Sequence, residues 1–486
     1  MSENIKNNSG QKLGLIALIA IVVSSMIGSG IDGLPQNMAQ NSALGPVLIA
    51  WIIAGFGIYF IAETFIYLSQ IRPDLQDGVY MYARQGFGAF IAFIVAWGYW
   101  LMCIFSNVAY GVMVMDALNY FIPGYFQGGN NLASIIGTSV LIWGFNFLTL
   151  TGVRDAGIVN TIGTFAKLIP LVLFVCILVY AVNYHQITSN LWGETAVNTH
   201  NDIKISILSQ ILSPLDVALW SFIGIEGAVV LSGRVKNKKD IAKATFWGFF
   251  ISLILCVLVS VLPFGVLTQH QLANIPTPST AGVLKAVVGK WGEWIINVGV
   301  VISVLAAWLA WTMLCAELPM SAAQNGTFPK IFAKKNSKGA ASVSLWVSSG
   351  IMQLVILLVY FSHNAWLTLL NVSAVMVLPA YFASAAYLFK LAITDDFKHN
   401  FPKHRLRIVL TSVIGLIFCL FMIYASSYQY VIMTPLLLTC GLPFFIIACK
   451  ENRPNEPIFA KHELLYLAIL IILDIIVLMT ELPIFS

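Results

Sequence analysis

Charge is what this sequence has least of. Only 10% of its residues are Asp, Glu, Lys or Arg, against about 25% in soluble domains. Hydrophobic residues make up 59% of the 486 positions. A water-soluble core of that length cannot hide so much apolar surface, so the chain reads as an integral membrane protein. Cysteine is scarce too. Cys103, Cys176, Cys256, Cys315, Cys419, Cys440 and Cys449 all fall within or at the ends of apolar segments. Their spacing gives neither a disulfide framework nor a metal motif. Walker loops, dinucleotide-binding fingerprints and HExxH are missing, which argues against ATP-driven transport. No metal or other cofactor is expected. The seven histidines lie in loops and flanks, which weakens any reading as a histidine-dependent intramembrane enzyme.

What the chain does have is apolar runs of spanning length. About 13 are read, at 13–37, 43–70, 88–121, 131–151, 156–184, 208–232, 241–264, 291–322, 342–362, 365–391, 406–426, 428–449 and 464–481. Residues 1–12 are polar, and the run from Leu13 is too long for a signal-peptide core, so no cleavable leader is expected there. With a cytoplasmic N-terminus, inner segments hold 22 of the 26 Lys and Arg. Among them are Arg234, Lys236, Lys238, Lys239 and Lys243 after span 6, Lys330, Lys334, Lys335 and Lys338 after span 8, and Arg405 and Arg407 before span 11. Outer loops hold only Lys204, Lys285 and Lys290, and Lys167 lies within a span. This positive-inside bias supports both the count and the orientation. The net charge of +5 follows from it and gives no argument for nucleic acid.

An ionisable side chain inside a span costs roughly 2.5–3.5 kcal/mol on insertion scales, so each needs a reason. Asp116, Asp216 and Glu317 lie toward span ends and read as solvated or snorkelling heads. Glu63 is deeper and reads as a helix-packing residue. Asp474 interrupts the last span and receives no role. Glu226 and Lys167 stand apart, being mid-span. A carboxyl at 226 can hold or release a proton as a cavity wets and dries. A buried ammonium at 167 must pair with carbonyls or a carboxylate, or lose its proton.

Two spans carry breaks. Gly28-Ser29-Gly30 sits halfway along span 1, and Trp220-Ser221-Phe222-Ile223-Gly224-Ile225-Glu226-Gly227 lies in span 6. Loosened backbone cannot face hydrocarbon, so such breaks survive where they line a cavity. One alone is as well explained by close helix packing at glycine. Two, in corresponding places of two halves, point to a transporter of inverted repeats with a midplane site. Free N–H groups at a restarted half-helix suit a carboxylate, and freed carbonyls suit an ammonium. Together they grip the common part of an α-amino acid. Trp220, and Trp308 and Trp311 deep in span 8, offer indole faces to a flat cation such as guanidinium. Residue type alone does not separate that use from packing.

At this point longer motifs are legible: SSMIGSGIDGLPQNMA (24–39), RPDLQDGVYMYARQGFG (72–88), AWGYWLMCIFSNVAY (96–110), LWSFIGIEGAVVLSGRVKN (219–237) and AWTMLCAELPMSAAQNGTFPKIFA (310–333). From about Leu13 to Lys450 the chain resembles the amino acid–polyamine–organocation (APC) superfamily, and within it the basic amino acid/polyamine antiporters, most of all the arginine/ornithine antiporters. The resemblance implies an all-α LeuT-type 5+5 inverted repeat with discontinuous spans 1 and 6. Residues 13–391 would form the transport core (13–184 and 208–391), with 1–12 a cytoplasmic tail and 405–486 accessory helices. It implies that amides of Ser29, Gly30 and Ile31 take the substrate carboxylate and carbonyls of Trp220 and Ile223 the α-ammonium. Trp220 looks like an outer gate and Trp311 like an aromatic wall. Cys103, Asn107 and, with its spacing to Pro379 off by one, Ser373 match positions contacting the distal group. Tyr99 and Glu226 match a middle gate, and Tyr80 a residue near the cytoplasmic mouth tied to pH sensing. Lys167 matches a lysine found where other members bind sodium, implying sodium independence. Relatives often dimerise, though no segment here marks a dimer interface. Asp32 departs from the family's apolar residue. It is expected either to pair with Lys167 or favour a cation, or to cap the restarted half-helix.

The expected function is exchange of arginine for ornithine first, or agmatine second, across a bacterial inner membrane by alternating access. A proton-coupled amino acid symporter and a non-transporting amino acid sensor are the alternatives. Short inner loops without a signalling domain count against the sensor, and the want of a nucleophile–base arrangement counts against an enzyme.

Overall fold

A computed structural model describes residues 14–75, 79–151, 156–188, 190–193, 205–226, 239–362, 364–394 and 405–481. The expected tail at 1–12, Lys204, Gly227, Arg234, Lys236, Lys238 and the end of span 6 lie outside the described residues. Among those described, ten helices are long and apolar enough to cross a membrane, or eleven if the bent pair in span 1 is one span. Span 5 is the helix Ala156–Ala181, and span 6 is only partly described, as Ile207–Leu212 followed by Leu215–Trp220.

Burial sorts the spans into a centre and a periphery. Span 3 (Ala89–Leu118) and span 10 (Ala365–Ile393) have 83% and 78% of their most apolar windows buried, against 22% for the last span. The two central spans pack on each other. Around them lie span 2 (Leu44–Ile71), span 4 (Leu132–Leu150), span 8 (Lys290–Gln324), span 9 (Ser342–Val359) and span 11 (Arg405–Ala425). Span 7 (Lys239–Val261) packs against span 1. The outward faces are apolar: Ile52, Phe56, Leu358 and Leu410 are all exposed. A surface of that kind has hydrocarbon, not water, as its solvent.

Helix ends explain how the core is pinned. The short helix Val79–Phe87 joins span 3 at Gly88, whose φ of +97° favours glycine. The amide of Phe90, an orphan donor in the first turn of span 3, donates to Glu463 Oε1 at 2.8 Å. The other oxygen of Glu463 accepts from Ala460 at 2.9 Å, so one carboxylate serves two helix starts.

Buried polar residues tie the periphery to the core, and here some expectations change. Asp216 is not a solvated head: it is buried and accepts from Ser426 at the end of span 11. Asp116 is half-buried and accepts from the amide of Gly128 at 3.1 Å. Glu317 is exposed. Glu63 joins span 2 to span 11, through Arg407 and through Thr411 at 2.6 Å. Asp474 accepts from Thr439.

Candidate functional site

Span 1 does come apart. Helix Leu15–Met26 ends at Ile27, Gly28 is extended, and a tight turn of helix runs Ser29–Gly33 before Leu34–Ala39. The two halves are bent by 42°. The first N–H groups of the restarted turn, at Ser29, Gly30 and Ile31, have no carbonyl a turn behind them on their own helix. Span 6 stops its α-helix at Trp220 and continues in single tight turns, Phe222 N–H to Leu219 at 3.0 Å and Ile223 N–H to Trp220 at 3.1 Å. It turns at Gly224, whose φ of +105° is a left-handed value.

The breaks face one another. A methyl built on Gly30 would stand 1.7 Å from a ring carbon of Trp220, so the indole lies directly on the span 1 break. A methyl on Gly224 would stand 2.9 Å from the carbonyl oxygen of Ser25, and the Ser25 hydroxyl donates to the Gly224 carbonyl at 3.2 Å. Trp220 meets Trp366 of span 10 edge-on, with ring centres 5.7 Å apart.

Three buried charged groups surround the breaks. Lys167 donates to the carbonyl of Ile27, the last peptide before Gly28. That carbonyl has lost its helical partner to the break, and a fixed ammonium suits it. Glu226 accepts from Tyr99 of span 3 and from Tyr381 of span 10, the latter at 3.2 Å. One carboxylate thus fastens spans 3, 6 and 10. Asp32 lies in the first turn of the restarted half-helix, where an acid suits the N-terminal dipole. Its carboxylate accepts from Thr280 at 3.1 Å, on the connecting helix Ser279–Val288, and no ion pair joins it to Lys167 among the described residues. The turn it sits in has no side-chain cap.

The remaining expected residues divide. Asn107 and Cys103 are fully buried one turn apart on span 3, with Asn107 Nδ2 donating to the Cys103 carbonyl at 2.7 Å. Thr312, next to half-buried Trp311, donates to Asn107 Oδ1 at 3.4 Å. Ser373 is buried and donates to Leu369 of its own helix at 2.8 Å. Tyr80 stands apart, with its hydroxyl 3.2 Å from Ser321 and accepting from Asn325 at 3.1 Å. Trp308 is a packing residue against Phe145, ring centres 5.3 Å apart. Among the described residues no group of three His, Cys, Asp or Glu could hold a metal ion.

Sequence reasoning missed Tyr381, Tyr110, Thr280 and Trp366. Tyr381 carried a signal, a phenol deep in an apolar span two residues beyond Pro379. Tyr110, whose hydroxyl would meet a methyl on Gly28 at 3.2 Å, lay within a quoted motif but gave no reason to be singled out.

A multi-span bundle in which a broken span 1 meets the unwound turn of span 6 over a buried polar centre has the build of a secondary transporter. Comparison with known proteins bears on which kind. A family model described as "Amino acid permease" matches residues 13–472. The "Arginine/agmatine antiporter" of Chlamydia pneumoniae is 50% identical over 459 residues, 94% of each chain. That of Chlamydia caviae is 47% identical over 479 residues, 98% of each. The chain belongs to the APC superfamily and, within it, to the basic amino acid/polyamine antiporters. It is a bacterial multi-pass membrane protein and a secondary active amino acid antiporter. Two solved structures share its LeuT-like fold. MhsT in complex with L-phenylalanine has a TM-score of 0.59 at 14% identity, covering 86% of this chain and 99% of that one. A Na+-coupled sialic acid symporter has a TM-score of 0.53 at 12% identity, covering 88% and 91%.

Proposed function

We propose that this protein exchanges arginine for agmatine across the bacterial inner membrane, with its N-terminus in the cytoplasm. The observation that carries this is near-complete alignment, at about half identity, with antiporters named for that pair. The reading reverses the order expected from motifs, in which ornithine came before agmatine. In the mechanism proposed, the N–H groups of Ser29, Gly30 and Ile31 take the carboxylate, and the carbonyls of Trp220 and Ile223 take the ammonium. Trp220 closes over the break from outside. Trp311, Asn107, Cys103 and Ser373 serve the distal guanidinium. Glu226, held by Tyr99 and Tyr381, latches three spans at the middle of the pathway, and Tyr80 acts near the inner mouth. Lys167 stands where a coupling cation would otherwise neutralise the freed Ile27 carbonyl, so exchange needs no sodium.

Charge separates the substrate pairs. Arginine carries +1 and agmatine +2, so arginine entering against agmatine leaving moves one positive charge outward per cycle. Arginine against ornithine moves none. Proteoliposomes preloaded with agmatine, ornithine, lysine or nothing are given labelled arginine at set membrane potentials. Uptake should need internal substrate, be supported by internal agmatine, and with agmatine inside rise when the interior is positive. Potential-independent uptake supported by internal ornithine and not by agmatine would restore the other pair.

A further inference from the structure

Just beyond the break, on the side where span 1 exits, two buried side chains carry polar atoms without a hydrogen-bond partner among the described residues. Asn37 is 4% exposed, and neither its Nδ2 nor its Oδ1 is paired. Trp366, also 4% exposed, has an unpaired Nε1. Both nitrogens lie 3.0 Å from the point that a methyl on Gly33 would occupy. They are therefore within about 6 Å of one another, near enough for one carboxylate to accept from both, given donor–acceptor distances of about 2.9 Å. The absence of a side chain at Gly33 keeps the two donors together. Trp366 leans edge-on against Trp220, which covers Gly30. The pair therefore forms the next layer outward from the proposed substrate site, under the same aromatic cover.

Buried N–H groups left unpaired carry their full desolvation penalty, and a protein that retains them commonly uses them in another state. Two adjacent N–H donors select an oxyanion, and Asn37 Oδ1 beside them can accept from an ammonium. We propose that Asn37 and Trp366 form an outer carboxylate subsite. It receives the head of an incoming amino acid when Trp220 lifts, before the carboxylate passes to the amides of Ser29–Ile31. This rests on the arginine/agmatine reading, and it distinguishes the two substrates on the outer side. Arginine has the carboxylate that the subsite holds, whereas agmatine, its decarboxylated form, has none and leaves past it. The subsite thus raises capture of arginine from outside without slowing release of agmatine.

The test measures external KM for arginine and for agmatine separately, in proteoliposomes loaded with agmatine. Trp366→Phe keeps the ring and removes one donor. Asn37→Ala removes the other and guards against a variant that fails to fold. Loss of one hydrogen bond to a charged group should raise the arginine KM about tenfold. The agmatine KM and both maximal rates should change less than about twofold, as no donor–carboxylate contact is involved. Equal shifts for both substrates would mean a packing role and overturn the proposal, as would no shift for either. A wild-type arginine KM that falls when chloride is replaced by gluconate would make the occupant an inorganic anion and overturn it too. Failure of the wild-type protein to exchange arginine for agmatine at all would instead defeat the functional reading.

Discussion

Gly30→Ala tests whether Trp220 must seat on the span 1 break. An alanine methyl would stand 1.7 Å from Cζ3 of Trp220, and 2.5 and 2.8 Å from two further ring carbons. Carbon–carbon contact is favourable only from about 3.5 Å, so the ring must retreat by about 2 Å. It has little freedom to do so, being 6% exposed and braced by Trp366. Deleting a buried Trp side chain costs about 3–5 kcal/mol. A ring displaced but still sheltered should forfeit roughly half, about 2 kcal/mol, and only in the closed form. That is a roughly 30-fold shift of the open–closed equilibrium toward open. Gly28→Ala is the control two residues away, because its methyl crowds the Tyr110 hydroxyl at 3.2 Å, which a small rotation relieves, and meets Trp220 only in ordinary contact at 3.9 Å. Arginine counterflow should therefore slow about 30-fold in Gly30→Ala and less than about threefold in Gly28→Ala. Iodide quenching of tryptophan fluorescence should rise in the first variant alone. Wild-type turnover by folded Gly30→Ala, or equal loss in both variants, would refute the reasoning.

Tyr381→Phe removes one of two donors from Glu226 and leaves Tyr99 in place. A hydrogen bond to a charged group is worth about 1.5–3 kcal/mol, so turnover should fall at least about tenfold. Arginine affinity by calorimetry should stay within about twofold, since the residue latches helices and does not touch substrate. Equal effects on both would make Tyr381 a binding residue. Lys167→Met leaves the Ile27 carbonyl without its ammonium; exchange should be lost, and wild-type exchange without sodium would show the tie to be dispensable. Gly57→Ala places a methyl 1.9 Å from Phe418, between spans 2 and 11 and away from the breaks. Overpacking of that kind costs about 1–3 kcal/mol, so the thermal midpoint should drop while arginine affinity holds.

The break in span 1 was legible because a second glycine break lies at the corresponding place in span 6, and the helix bends by 42° at that place. Glu226 was legible for the same reason, as a charge that hydrocarbon does not tolerate. Its partners were not, because a tyrosine in a span is chemically ambiguous until a neighbour shows which way the phenol points. Asp32 was legible only in part, by its place in the first turn of the restarted half-helix. Its two expected roles were local or electrostatic, whereas its partner Thr280 is 248 residues away on a connecting helix. Asp216 looked solvated from its position near a span end, yet the chain folds Ser426 over it. Long-range polar pairings have no period in the sequence, and these were the features that periodicity and charge counting could not reach.

On the proposed reading, the same backbone that makes the site also makes exchange obligatory and separates arginine from agmatine. If both halves of the pathway close around the breaks without substrate, the N–H groups at Ser29–Ile31 and the carbonyls near Trp220 are shut away from water. Each buried polar group left unpaired costs about 1–3 kcal/mol, so the empty carrier crosses slowly and a bound head removes the barrier. Arginine covers both ends of the clasp. Agmatine has an amine for the carbonyl end but nothing for the amide end, so it leaves part of that cost standing. One uncovered pair of N–H groups at about 2 kcal/mol slows crossing roughly 30-fold. Saturated agmatine–agmatine self-exchange, measured at zero membrane potential, should therefore run well below arginine–arginine self-exchange. Arginine amide, whose carboxamide oxygen still accepts from those N–H groups but carries no charge, should fall between the two. Equal self-exchange rates for all three would mean that the span 1 amides do not hold the carboxylate during crossing.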